Sequence, residues 1–269
     1  MNVEDLSHAD SEYYQALREL LWQLADDDLI VAYRASEWLG LAPHVEEDVA
    51  FSSIAQDEMG HAAMYFELLE QMGEGNRDDL SHLRAVGARR NAVLLEEPNG
   101  QGSYLREPHF DWAFTVVRHY FYDVWESLRL RHLIESSYLP LVEVAQKAIR
   151  EEVYHLAHQE LWLRKMADFN DDTRARLNDA LNHAAALSQD LVYVEPWQDI
   201  WMRTGILPQA EALPELWRQQ VGRFLDALGV RLPSLGMLAN GRLGEHSPYL
   251  SELLATLSEV YRTEPGAAW

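Results

Sequence analysis

Along most of this chain, apolar positions recur at alternating steps of three and four, the spacing of one face of an α-helix. From about Ser11 to Gly40 the pattern is helical, and the run Asp26-Asp27-Asp28 is expected to break the helix or cap a second one. A turn follows at Leu41-Ala42-Pro43. The next helix is expected from about Glu46 to Met72, ended by Gly73 and Gly75. A shorter, mixed helix covers about Asp78 to Leu94, and Glu97 to Pro108 reads as a turn-rich loop around Pro98-Asn99-Gly100. Long helices are expected over about His109–Ser136 and Leu139–Phe169, then another over about Asp172–Val194. Beyond Pro196 the pattern is irregular, with helices near Glu211–Leu228 and Pro248–Tyr261. No segment carries a strand pattern. The expectation is an all-α fold in a single domain over residues 1–269, with a core bundle over about 11–195 and a C-terminal helical extension over about 196–269.

The polar residues that interrupt the apolar stripes are more informative than the stripes. Phe51, Ile54, Glu58, His61, Tyr65, Leu68 and Met72 share one helix face, and Glu58 and His61 fall in its middle. Leu141, Ala145, Ala148, Glu152, His155 and Gln159 repeat the arrangement. The helix between them gives Trp112, Val116, His119, Asp123, Glu126, Leu130 and Leu133, and the first region gives Ile30, Tyr33, Glu37 and Leu41. A helix with one acid followed by a helix with Glu-x-x-His thus occurs twice. The i,i+3 spacing sets Glu and His about 4.5 Å apart along one face, so both reach the same bundle centre.

Carboxylates converging in a core repel each other and lose their hydration, so something must compensate. Two divalent cations would balance four acids, and neutral imidazoles complete the coordination. Hard oxygens with imidazole suit iron or manganese, and zinc less distinctively. Ferritin-like four-helix bundles use this set: one acid from each of two helices and Glu-x-x-His from each of the other two. The candidate metal ligands are therefore Glu37, Glu58, His61, Asp123, Glu152 and His155, with Glu126 the alternative to Asp123. Asp57 and Glu151, each preceding a candidate ligand, are placed to orient the histidine of the facing helix. His119 reads either as a histidine behind the ligands or as a hydrogen-bonded core residue. Two competing readings stay open: a buried ion-pair network with Arg34, Arg118 or Arg129 as partners, and a vestigial site that keeps the ligands but no metal.

Composition narrows the function classes. The chain has no cysteine, which excludes thiolate ligands, thiolate nucleophiles and disulfides. Its formal charge is −22, and only two of its basic residues are lysines, Lys147 and Lys165. Phosphate backbones and anionic bilayers would be repelled at long range, so neither nucleic acid nor a membrane is expected as a partner. The first ten residues are polar and acidic, unlike a signal peptide, and a cytoplasmic location is expected.

Gln56-Asp57-Glu58-Met59-Gly60-His61 and Glu151-Glu152-Val153-Tyr154-His155 resemble the ligand motifs of the catalytic A subunit of bacterial phenylacetyl-CoA epoxidase. Most of the chain, from about Asp28 to Trp269, is more similar to the C-type subunits of that family. The similarity lies in Glu37-Trp38-Leu39-Gly40 followed by Ala42-Pro43, in Leu95-Glu96-Glu97-Pro98-Asn99-Gly100, and in the tail Gly241-Arg242-Leu243-Gly244-Glu245-His246-Ser247 with Glu264-Pro265-Gly266-Ala267-Ala268-Trp269. The resemblance implies a subunit of a di-iron monooxygenase that epoxidises the ring of phenylacetyl-CoA. It would be auxiliary to an A-type subunit and would associate with that subunit and with itself. Some C-type subunits lack part of the ligand set, whereas this sequence keeps both Glu-x-x-His motifs. An oxygenase acting in its own right on a small apolar or aromatic substrate is the alternative.

Overall fold

A computed structural model describes residues 11–103, 106–265 and 267. The acidic N-terminal decapeptide and the terminal Trp269 lie outside them. The described residues are mainly helical, in an all-α, ferritin-like bundle. Helix α1 spans Ser11–Ser36, α2 Val45–Gln71, α5 Trp112–Leu133 and α6 Leu139–Phe169, and these four form the bundle. Between α2 and α5 lie the short helices α3 (Arg77–His82) and α4 (Val93–Glu96). C-terminal to the four are α7 (Asp171–Ala186), α8 (Gln198–Thr204), α9 (Leu213–Ala227), α10 (Pro248–Leu257) and α11 (Glu259–Thr263). None of the described helices is long and apolar enough to cross a membrane.

Contacts fix the directions of the four long helices. Trp38 meets Thr115 while Tyr122 meets Asp28, so α1 and α5 run antiparallel. Phe51 packs on His119 and Glu58 lies beside Glu126, so α2 and α5 run parallel. His61 meets Glu151 and Glu47 meets His158, so α6 runs antiparallel to α2. Parallel α2 and α5 require the chain to return along the full bundle between them, a span of about 40 Å for a helix the length of α2. Residues 72–111 make that crossover.

Three departures from the expected elements have physical causes. Asp26, Asp27 and Asp28 do not interrupt α1, because all three are fully buried with partners brought from elsewhere. Asp26 accepts from Arg84, Arg89 and the Arg90 N–H; Asp27 accepts from Arg129, Arg242 and the Ala92 N–H. The expected helix over 78–94 is broken into α3, a 3-10 turn at Val86–Ala88 and α4; where a helix would continue, the Arg90 and Ala92 N–H groups go to Asp26 and Asp27 instead. The loop expected from Glu97 to Pro108 contains a small antiparallel hairpin, β1 (Gly100–Ser103) with β2 (Arg106–Phe110). Its two strands are mostly exposed, so no alternation of apolar and polar residues marks them.

The C-terminal extension is clamped to the bundle by the tail residues. Gly241 donates to Asp190, and a Cβ at this position would strike the Asn91 carbonyl, so only glycine allows the approach. Arg242 spans from Asp27 to the carbonyls of Arg90, Asp190 and Leu191. His246 lies 2.6 Å from a Glu96 oxygen, and the Ser247 N–H donates to the other oxygen of that carboxylate. Distinctive as the tail is in sequence, its contacts are structural.

Candidate metal centre

Four helices deliver acids and imidazoles to one buried point. Asp28, Glu58, His61 and Glu126 offer ligand atoms within 4.8 Å of one another, and so do Glu58, Glu152 and His155. Glu58 belongs to both groups: one of its oxygens lies 3.6 Å from His61 Nδ1 and the other 3.4 Å from His155 Nδ1. His155 Nδ1 is also 2.8 Å from Glu152, and His61 Nδ1 is 3.9 Å from Glu126. The arrangement is therefore two adjacent positions that share the Glu58 carboxylate.

Each histidine is aimed by an acid on the facing helix. His61 Nε2 sits 2.6 Å from Glu151 of α6, and His155 Nε2 sits 3.2 Å from Asp57 of α2. The two contacts are reciprocal across the α2–α6 pair. Each contact suits an Nε2–H donor and turns Nδ1 inward, the orientation that metal-binding histidines usually receive from a carboxylate behind them.

Among the described residues, most of the central oxygens have no hydrogen-bond partner. Both carboxylate oxygens of Glu58, Glu126 and Glu152 are buried without a geometrically sound hydrogen bond, as is one oxygen of Asp28; the other accepts from the Tyr122 hydroxyl. Such groups are costly in a protein interior unless a cation or a proton satisfies them. Burial, with the Glu58 charge next, pushes Glu126 up to about 8, and burial with the neighbouring acids also raises Asp28 and Glu152 well above the usual carboxylate range. Burial would raise Glu58 too, but the His155 and His61 rings, 3.4 and 3.6 Å from its oxygens, outweigh it and hold it at about 2. Burial disfavours the charged form of His61, yet the Glu58 carboxylate 3.6 Å away and the surrounding acids lift it to about 9. The acids around Glu58 are thus held toward their neutral forms, while Glu58 between the two imidazoles is held ionised.

The arginines of the ion-pair reading are engaged elsewhere. Arg34 bonds Glu37 and the Glu96 carbonyl, Arg118 bonds Asn99 and the Glu97 carbonyl, and Arg129 bonds Asp27. Among the described residues, none forms a salt bridge with Glu58, Glu126 or Glu152. The donor set, four acids with two imidazoles, fits two divalent cations in charge and in ligand chemistry.

Of the six candidates from sequence, Glu58, His61, Glu152 and His155 are brought together. Glu37 is not part of either group. Helix α1 ends at Ser36, and the Glu37 carboxylate is held at 2.8 Å by Arg34 and 2.7 Å by Asn99. The acid that α1 does supply, Asp28, is nine residues earlier, about 13 Å along the axis and on the opposite face. Its signal in the sequence was an acid inside an otherwise apolar helical run, which a triple aspartate disguised as a break. On α5 both acids are buried, but Glu126 joins His61 and Asp28. Asp123 lies one turn away against His155 and Gln159, and burial raises it well above its usual range. His119 is also buried and, among the described residues, has no hydrogen-bond partner on either nitrogen, unlike the hydrogen-bonded core residue of one sequence reading.

Similarity to known proteins agrees with this architecture. A relative in Escherichia coli (strain K12), the C subunit of 1,2-phenylacetyl-CoA epoxidase, is 27% identical over 249 residues, covering 92% of this chain and 96% of its own length. The family model described as phenylacetic acid catabolic protein matches residues 1–269, end to end, and the chain belongs to that family.

Proposed function

We propose that this protein is a C-type subunit of a multicomponent di-iron monooxygenase that epoxidises the ring of phenylacetyl-CoA, and that it supports a catalytic A-type subunit. The observation that carries this reading is the end-to-end similarity to the E. coli relative, which covers 92% of this chain and 96% of that protein. Carboxylate bundles in general share only the four long helices; here the match spans the C-terminal extension as well.

The ligand set we propose is Asp28, Glu58, His61, Glu126, Glu152 and His155, with Asp28 in place of Glu37 and Glu126 in place of Asp123. Iron is the metal we assign, with manganese the alternative, because the donors are carboxylate and imidazole. A bound iron pair supplies the activation of dioxygen in such monooxygenases. In this chain Glu58 would bridge the two positions, Asp57 and Glu151 would hold the Nδ1 atoms inward, and Tyr122 would hold Asp28 through its hydroxyl. The −22 charge opposes capture of the CoA phosphates and favours the auxiliary role over independent turnover.

A second reading, an oxygenase acting on its own, draws support from the completeness of the buried donor set. Product formation from phenylacetyl-CoA separates the two. Isolated, iron-loaded protein should turn over negligibly, and addition of the A-type subunit with its reductase should restore turnover. Glu58→Ala should then lower turnover only as far as it lowers assembly or stability. Multiple turnovers by the isolated chain, abolished by Glu58→Ala in a folded protein, would overturn the auxiliary role.

A further inference from the structure

Beside the metal centre a row of aromatic rings runs through the bundle to its surface. His119, one turn from Asp123 on α5, meets the Phe51 ring with centroids 5.1 Å apart. Phe51 also meets His158 at 5.6 Å and Trp112 at 4.7 Å, and Trp112 meets Trp162 at 5.4 Å. The rings are tilted or edge-on to one another, so neighbouring π systems touch. Phe51 is buried, whereas Trp112 and Trp162 are half-buried. On α6, Trp162 lies seven residues beyond the ligating His155 and on the same face, about 10.5 Å along the axis. Electrons tunnel through protein over such a distance, and the row ends in an indole, an easily oxidised ring.

The N–H of that indole has an outlet for its proton. Trp162 Nε1 donates to a Glu47 oxygen at 2.8 Å, and His158 Nε2 lies 2.6 Å from the same oxygen. Loss of an electron makes an indole N–H strongly acidic, so an acceptor in contact lets electron and proton leave together. The Lys165 ammonium, 4.7 Å from the Trp162 ring, opposes a lasting positive charge there and favours that joint departure.

Other indoles near the centre lack this outlet. The Trp112 and Trp125 Nε1 atoms are buried with no acceptor among the described residues. Tyr122 and Trp125 also lie under the Arg129 guanidinium, 6.0 and 5.6 Å from their rings. Trp162, by contrast, lines an open groove of about 640 Å³ with Lys165, Met166 and Phe169, so a small solute can reach its ring from solvent.

We propose that Trp162 is the outlet of an oxidation drain, which carries to solvent the oxidising equivalents that dioxygen generates at the centre when no substrate consumes them. The Trp162 ring gives one electron to the centre, and its N–H proton goes to Glu47 and on to water. A small thiol in the groove then returns a hydrogen atom to the indolyl radical, and two thiyl products join as a disulfide. Two passes thus consume two oxidising equivalents and two thiols, yield one disulfide and release two protons. The drain rests on the iron assignment proposed above, and the auxiliary role gives it a purpose. A chain whose charge opposes capture of CoA phosphates would meet dioxygen without substrate.

The full-length chain, loaded with ferrous iron and exposed to dioxygen with catalase and no substrate, tests this by freeze-quench EPR and by mass spectrometry of its peptides. Without thiol, a tryptophan radical should form. Trp162 should be oxidised at least tenfold more than Trp197, which is half-buried like it and lies outside the row of rings. Glutathione should suppress that oxidation and be recovered as its disulfide. Glu47→Gln should lower the radical yield at least tenfold with iron content unchanged. Trp162→Phe should abolish the signal and move oxidation inward, to His119 and Tyr122. Elemental analysis separates two kinds of failure. Iron retained, with Trp162 no more oxidised than Trp197 or with a radical indifferent to both substitutions, overturns the drain alone. A chain that retains no iron overturns the proposed centre and the drain with it.

Discussion

Two adjacent stretches of buried acid are treated in opposite ways. Asp26 and Asp27 are saturated by four arginines and two backbone N–H groups. The next residue, Asp28, turns into a cluster with Glu58, Glu126 and Glu152 whose oxygens are almost bare. All of these acids are fully buried, so solvent does not account for the difference. The first set ties the crossover and the C-terminal extension to α1, and its charges are neutralised by side chains that the fold itself brings. The second set ties no segment to another through arginine, and apart from the Tyr122 hydroxyl on Asp28 its nearest polar partners are the two imidazoles. Among the described residues, the fold delivers arginine to hydrogen-bond positions 26 and 27 but gives the neighbouring cluster none in direct contact, and those acids are the ones that could hold a cation.

Breaking the structural side should have the largest effect. Arg242→Ala removes a charge from Asp27 and a bridge to three carbonyls, and should cost about 3–5 kcal/mol in denaturant unfolding, the range for a broken buried pair. A loss below about 1 kcal/mol would mean that the clamp is incidental. The same side should show acid sensitivity. Burial would raise Asp26, but Arg84 and Arg89 outweigh it and hold its carboxyl below the usual value. Its stabilisation is therefore present above the unfolded-state pKa of about 3.9 and is lost as pH falls through the lower folded value. Asp26→Asn should lower the neutral-pH stability and flatten the slope of stability against pH below about pH 4.

The metal side should respond to cation rather than to deletion. Ferrous iron at about 100 times its dissociation constant should raise unfolding stability by about 2.7 kcal/mol, and chelation should remove the gain. Glu58→Ala with Glu152→Ala should abolish iron retention measured by elemental analysis. In chelated protein, however, the double variant should be as stable as wild type or more so, because it relieves uncompensated acids. Strong destabilisation of the chelated protein by that variant would place these acids with Asp26 and Asp27 as structural ties.

A finer cut concerns the acids behind the histidines. Asp57→Asn with Glu151→Gln should weaken iron binding about 10- to 100-fold in equilibrium titration and leave circular dichroism unchanged. Affinity equal to wild type would mean that packing alone aims the rings. The smallest effect is expected at Glu37. Glu37→Gln should cost about 1 kcal/mol through the weakened Arg34 contact and leave the iron stoichiometry as it was. A drop in bound iron would return Glu37 to the ligand set.

The pattern of legibility follows from what periodicity can encode. The four long helices and the two Glu-x-x-His pairs were readable because an i,i+3 pair in the middle of an apolar stripe fixes both face and depth. The acids on α1 and α5 were single residues, and a single residue carries no spacing of its own. Glu37 was placed on a helix assumed to continue to Gly40. Asp28 was hidden in a run that, by local rules, should break a helix. Glu126 and Asp123 share a face, and only the approach of α2 and α6 decides which of them meets His61.

By itself, then, the sequence determined the all-helical class, the positions of the long helices and the two helices that carry the Glu-x-x-His pairs. Each depends on contacts within a turn or two of chain, where side-chain spacing dictates geometry. Only the tertiary structure decided which acids gather around Glu58, because that choice rests on where the 72–111 crossover delivers Arg84, Arg89 and the Ala92 N–H and where the tail delivers Arg242. Those partners come from 58 to 215 residues away, and they leave Asp28 as the one aspartate of the three facing the centre. Charge compensation in a core is a long-range matter, and no local pattern along the chain records it.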